Sequence, residues 1–356
     1  MIEYFLHTGL HKTGTKFFQH KVFPNLSKDD FEYNPVKLSQ YICDLMKAED
    51  EDLDLVYTAI AKEKKILAAS GNRKILISRE VMSGDLFSFY SGYKERYSRL
   101  HTAFPEATII CSLRYQVDWI VSCYRETVHE HNYQSIGQFL GLEKGDEKFV
   151  KANIKNLDWA GIVEHLLDLF GPSKVKFFFF EDFKRNKKAM VDKISKILAV
   201  NNIEITEDGD SIPNRGYSAF SINLSILRYD IFRLLHLERI FIHRPIKFFG
   251  PKSIPAGFEN ISILPQNKYW HMGFMRDNEE VRSKNYPNSL TIREKLNLRF
   301  SWRNIVKNGL DKLVYWDWDL LKSHRTDLDL YYKNRNRILA EKFNSELGGI
   351  PENYIK

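Results

Sequence analysis

A chain of 356 residues, 43% apolar and 28% charged, is long enough for one large folded domain and too hydrophobic to be disordered. Its net charge of +7 favours anionic ligands, while the absence of zinc-finger spacing or an RNP-like aromatic motif argues against nucleic acid. No run approaches the roughly 20 apolar residues of a spanning helix, and MIEYFLHTGLHK lacks the basic and apolar regions of a signal peptide.

Cys43, Cys111 and Cys123 form neither a CxxC pair nor a ligand cluster, so the expected setting is reducing and cytoplasmic, without structural disulfides. In chain order, Tyr4–Thr8 reads as a short strand, followed by a glycine-bearing turn and a helix over Thr15–Val22. Helices are expected at Val36–Lys47 and Leu53–Ser70, with the charge runs Glu49–Asp52 and Lys62–Lys65 as solvated faces. Lys74–Ser78 reads as a buried strand, Tyr93–Ala103 as a helix, and Ala107–Leu113 as a third strand feeding a helix over Val117–Val128. Leu157–Phe170 is an amphipathic helix, Val175–Phe180 a fourth strand and Lys187–Ala199 another helix.

Strands alternating with helices predict an α/β fold of three layers around a central parallel sheet. Beyond Asn201 the strand rhythm stops. Helices are expected at Tyr217–His236, Thr291–Lys307 and Asp327–Leu347, with an irregular insertion at about 239–290. The expectation is one domain over 1–356, with an α/β core in 1–200 and a mostly helical C-terminal extension in 201–356.

The first strand runs into His7-Thr-Gly-Leu-His-Lys-Thr-Gly-Thr-Lys16. A glycine turn entering a helix gathers backbone N–H groups at the positive end of the helix dipole, and Lys12, Thr13 and Thr15 add a cation and hydroxyls. This suits a phosphate or phosphosulfate. A nucleotide-hydrolysing P-loop would need Lys-Ser/Thr after the second glycine, whereas Thr15-Lys16 follows Gly14.

LHKTGTKFFQ resembles the 5′-phosphosulfate loop of sulfotransferases that use 3′-phosphoadenosine 5′-phosphosulfate (PAPS), with His11 in place of the usual proline and Lys16 in place of the second hydroxyl residue. The resemblance implies a P-loop-type fold and donor contacts from Lys12, Thr13, Gly14, Thr15 and Lys16. It also implies a 3′-phosphate site made by Arg114, closing a strand, and Ser122, eight residues on along a helix. Singly, either residue is an ordinary structural one. Pro213–Ser218 resembles a segment near the nucleotide in bacterial members, implying a contact from Arg215, and Tyr331–Phe343 resembles their closing helix, with Asn336 at its asparagine.

In-line sulfuryl transfer needs positioning and stabilisation of the leaving phosphate, for which Lys12 is the candidate, and no metal. A hydroxyl nucleophile also benefits from a base. Glu80, where strand KILIS ends, is that candidate; the alternative is a structural ion pair with Arg79 or another cation. His7, His11, His129 and His131 are other titratable groups near the motifs. His11 and Arg79 are candidate acceptor contacts.

The basic and aromatic segment Arg239–Lys252 is expected to be a packed insertion, with a glycan or membrane surface as the alternative, and Trp316 and Trp318 are expected in the core, with stacking on a sugar as the alternative. The sequence thus points to a sulfotransferase of bacterial type acting on a carbohydrate hydroxyl in a polysaccharide or glycolipid. Its rivals are an ATP–Mg²⁺ kinase and a non-catalytic nucleotide or glycan binder. Oligomeric state is not legible.

Overall fold

Side chains alternate across a strand with a period of two, so a strand buried on both faces must be apolar at successive positions. Four of the five strands here are. The computed structural model describes residues 2–71, 74–201, 203–205, 216–236, 302–322 and 324–355. Within these, β1 (Glu3–His7), β2 (Phe31–Tyr33), β3 (Lys74–Ser78), β4 (Thr108–Leu113) and β5 (Val175–Phe179) form one all-parallel sheet in the order β2-β3-β1-β4-β5. Only β2, a three-residue edge strand, was not anticipated; FEY is too short to show a period.

The two faces separate residue by residue. Phe5, Leu76, Ile110 and Phe178 pack on one side with Phe18, Val22 and Phe23 from the turns after α1 (Thr15–Phe17). Tyr4, Leu6, Ile75, Ile77, Ile109, Cys111, Phe177 and Phe179 face the opposite core. That second side holds α2 (Val36–Leu45), α3 (Leu53–Ala69), α4 (Tyr93–Ala103), α5 (Gln116–His129), the short α6 (Ile136–Phe139) and α7 (Trp159–Phe170). The first side is completed by α8 (Phe180–Arg185) and α9 (Lys187–Leu198), whose Asn186 cap accepts from Ala189 N–H at 2.9 Å. Helices on both faces of a parallel sheet make the three layers that the strand–helix rhythm implies. All three cysteines are buried free thiols.

Beyond the core, α10 (Ala219–Leu234) is capped by Ser218, and α11 (Trp302–Ile305) leads through one π turn into α12 (Asp311–Leu313). The last helix, α13 (His324–Leu347), joins the main core through Leu328, Tyr332, Leu339 and Leu347. Asn336 exchanges two hydrogen bonds with Gln116, at 2.8 and 3.0 Å, which ties α13 to the start of α5.

Two expectations need correction. The run Lys62–Lys65 is not wholly a solvated face: Glu63 is buried, and Lys64 lies over the Tyr4 and Phe104 rings and donates to the Ala103 carbonyl at 2.8 Å. Its aliphatic stem covers apolar surface while the ammonium finds a carbonyl. Trp316 and Trp318 are 61% and 39% exposed rather than core residues. They sit on an irregular segment after α12, where Trp316 rests edge-on against Phe220 of α10, at 5.4 Å between ring centres. The 239–252 segment, Arg215 and the start of the 291–307 helix lie outside the described residues.

Candidate active site

In a parallel sheet the C-terminal strand ends open together, so β1, β3 and β4 deliver their following residues to one edge. From β1, Thr8 N–H bonds the Ile110 carbonyl at 2.9 Å, and the chain then turns over the sheet edge. Lys12 and Gly14 both take positive φ, +66° and +86°, on either side of Thr13. Gly14 is required twice over, because a Cβ there would also lie 2.9 Å from the Phe183 ring. Lys12 has no such freedom, so its left-handed backbone is strained.

Three successive carbonyls of the loop are tied back. Leu10 O accepts from Thr13 Oγ1 at 2.5 Å, His11 O from Trp119 Nε1 at 2.8 Å, and Lys12 O from Arg114 Nη1 at 2.9 Å. In a trans peptide the following N–H points the opposite way, so the Lys12 and Thr13 amides turn away from these anchors. Among the described residues, neither these amides nor that of Gly14 has a backbone partner. Such a concavity of N–H groups at a helix start binds anions. Thr13 and Thr15 are buried, and Thr13 Oγ1 braces the loop from inside, while Lys16 is exposed at the rim.

Arg114 and Ser122 come together at one cleft. They line a cleft of about 210 Å³ with Asp118, Val121, Arg125, Gly216, Tyr315 and Asp317. The Arg114 guanidinium stacks on Phe180 at 4.5 Å from the ring centre. Burial pulls its ionisation below the usual arginine value, with Asp118 and Glu181 opposing. Arg125 closes the outer wall by forking onto Asp317 at 2.8 and 3.0 Å. An arginine fork and a hydroxyl in a half-closed cleft suit a phosphate dianion.

The loop sends its two basic side chains to opposite sides. His11 turns toward β3, where its Nε2 stands 3.9 Å from Glu80 Oε2, each side chain 23% exposed. The His11 amide donates to Tyr90 Oη at 2.7 Å, and Tyr90 Oη also lies 3.3 Å from His11 Nδ1. Burial, then the Glu80 charge, pushes the Tyr90 hydroxyl well above its usual range, so it stays a neutral donor. Glu80 thus has His11 as a neighbouring ion-pair partner, which the alternative of a structural pair with Arg79 or another cation also allows. The Arg79 amide donates to the His7 carbonyl at 3.2 Å. Lys12 turns toward α5 and bonds Glu126 Oε2 at 2.7 Å.

His7 drops out as a base. It is fully buried, its Nδ1 is 2.7 Å from Ser78 Oγ, and burial pulls its pKa down to about 3. His129 lies within ion-pair distance of Glu126 and Glu130, and these three form the one described group whose ligand atoms are close enough to share a cation.

Glu126, Arg125 and Trp119 are the site residues that the sequence reading missed. A signal existed: positions 118, 122, 125 and 126 share one face of a helix, so Ser122 already marks their side of α5.

No protein-family model and no curated protein matches the chain. Among solved structures it is similar to a sulfotransferase from Alicyclobacillus acidocaldarius, at 20% identity and TM-score 0.42, over 67% of this chain and 95% of that one. It is also similar to mouse sulfotransferase SULT7A1 complexed with PAP, at 15% identity and TM-score 0.34, over 84% and 89%. At these scores the likenesses carry no functional weight. No described helix is long and apolar enough to cross a membrane.

Proposed function

We propose that the chain transfers the sulfuryl group of PAPS to an acceptor hydroxyl. The observation that carries this reading is a pair of anion positions at neighbouring strand ends, the loop after β1 and the Arg114–Ser122 cleft after β4, joined by the Arg114–Lys12 hydrogen bond. A nucleotide phosphorylated at both 5′ and 3′ carbons presents two such groups.

The acceptor oxygen attacks sulfur in line, the bond from sulfur to the bridging oxygen breaks, and its electron pair stays on the 5′-phosphate. Lys12 meets that developing charge, and Glu80 takes the acceptor proton from the opposite side of the loop. Positioning and electrostatics supply the acceleration. His11 and Arg79 border the acceptor side, Thr15 and Lys16 the donor side, and Arg215 is assigned to the nucleotide on its motif alone.

The acceptor assigned is a carbohydrate, supported by the net charge of +7, which suits an acidic glycan. The exposed Trp316 and Trp318 do not line the cleft and add nothing to that choice.

Adenosine 3′,5′-bisphosphate (PAP) should raise the melting temperature in metal-free buffer, since a ligand bound only by the native state stabilises it by mass action. A larger shift with ATP–Mg²⁺ would favour a kinase instead.

A further inference from the structure

Lys12 already has a partner. Its ammonium lies 2.7 Å from Glu126, one helical turn beyond Ser122 on α5, and the two side chains are 27% and 28% exposed. Burial alone would push the Glu126 carboxyl up, yet Lys12 and its hydrogen bond more than offset that, with His129 and Lys16 adding, so Glu126 stays an anion. A carboxylate therefore occupies the cation on which the proposed reaction depends.

We infer that Glu126 is an internal competitor for Lys12, displaced when the donor binds and acting to expel the product. This rests on the sulfuryl-transfer reading. In PAPS the negative charge is shared between phosphate and sulfate. When the bond to sulfur breaks, the electron pair and the charge gather on the 5′-phosphate, against Lys12 and hence against Glu126. Lys12 then stands between two anions, and Glu126 draws it back from the phosphate, which favours release. A displaced Glu126 is not stranded: it is partly solvated, and His129 Nδ1 stands 3.9 Å away as a second cationic partner when protonated. Glu126 is a positioning residue for Lys12, distinct from Glu80, which touches His11 on the other side.

Calorimetric titration with PAP of the wild type, Glu126→Gln, Lys12→Met and the double variant tests this. Glu126→Gln should bind PAP about two- to fivefold more tightly, a scale set by a partly exposed ion pair. The gain should shrink at high salt and vanish in the Lys12→Met background. A merely structural role predicts weaker binding, never tighter. A wild type that binds PAP with Glu126→Gln no tighter, or a gain that survives Lys12→Met, overturns the inference. Should Glu126→Gln fold poorly, the carboxylate carbon signal of Glu126 in labelled wild-type protein decides: it should move on saturation with PAP, and an unmoved signal overturns the inference. A wild type that does not bind PAP overturns the sulfuryl-transfer reading itself, and this inference falls with it.

Discussion

The Arg114 guanidinium donates Nη1 to the Lys12 carbonyl across 2.9 Å, so the residue that closes β4 also sets the curve of the loop after β1. One side chain therefore touches both of the proposed anion positions. It faces the cleft with Ser122 and holds in place the loop whose amides turn to the other group.

Arg114→Ala should accordingly cost more than a single phosphate contact. Loss of a charge-assisted bond weakens PAP binding by roughly 1.5–3 kcal/mol, and release of the loop adds to it. Preference for PAP over AMP, measured by calorimetry, should largely disappear. Arg114→Lys should not restore it, because one ammonium cannot fork onto a phosphate and reach the Lys12 carbonyl together. An unchanged preference in Arg114→Ala would remove Arg114 from the 3′-phosphate site.

His7 gives the fold a pH dependence of known sign. In the native state its pKa is about 3, while unfolded it titrates near 6.5. Between these values the unfolded chain binds a proton that the native state does not, so stability rises with pH by up to about 1.4 kcal/mol per unit. The stability is fully present above pH 6.5 and is lost as pH falls toward 3. Urea melts at pH 7 and pH 4.5 should show a larger fall for the wild type than for His7→Gln. Equal falls would mean that His7 is not buried neutral.

Most of this architecture was legible in the chain. Runs such as KILIS and TIICSL are apolar at successive positions, as strands of a sheet covered on both faces must be, and Glu80 and Arg114 follow them in the chain. Long amphipathic helices such as Leu53–Ala69 show their period over several turns. What escaped needed three dimensions. The edge strand at Phe31–Tyr33 is fixed by pairing with β3, not by its own pattern. The Lys12–Glu126 contact joins residues 114 positions apart, and the opposite courses of His11 and Lys12 follow from a backbone turn at φ +66° that no residue type at position 12 announces.

That turn supports a prediction about stability against function. A non-glycine residue held in the left-handed region costs about 1–2 kcal/mol. Lys12→Gly should therefore be more stable than Lys12→Ala by about that amount in urea titrations, both variants having lost the Glu126 contact. Both should lose turnover. Equal stability of the two would contradict the strain at this position.

Transfer of labelled sulfur from PAPS to an organic acceptor in a glycan-containing cell extract tests the central claim most directly, with the wild type and Glu80→Gln run side by side. The wild type should move label from PAPS into a covalent product without added metal. Glu80→Gln should bind PAP normally but turn over roughly 10²–10⁴-fold more slowly, the worth of a positioned base, with kcat falling alongside kcat/KM. Label that stays in PAPS or appears only as free sulfate, in a protein that binds PAP, would contradict sulfuryl transfer and leave a nucleotide-binding module.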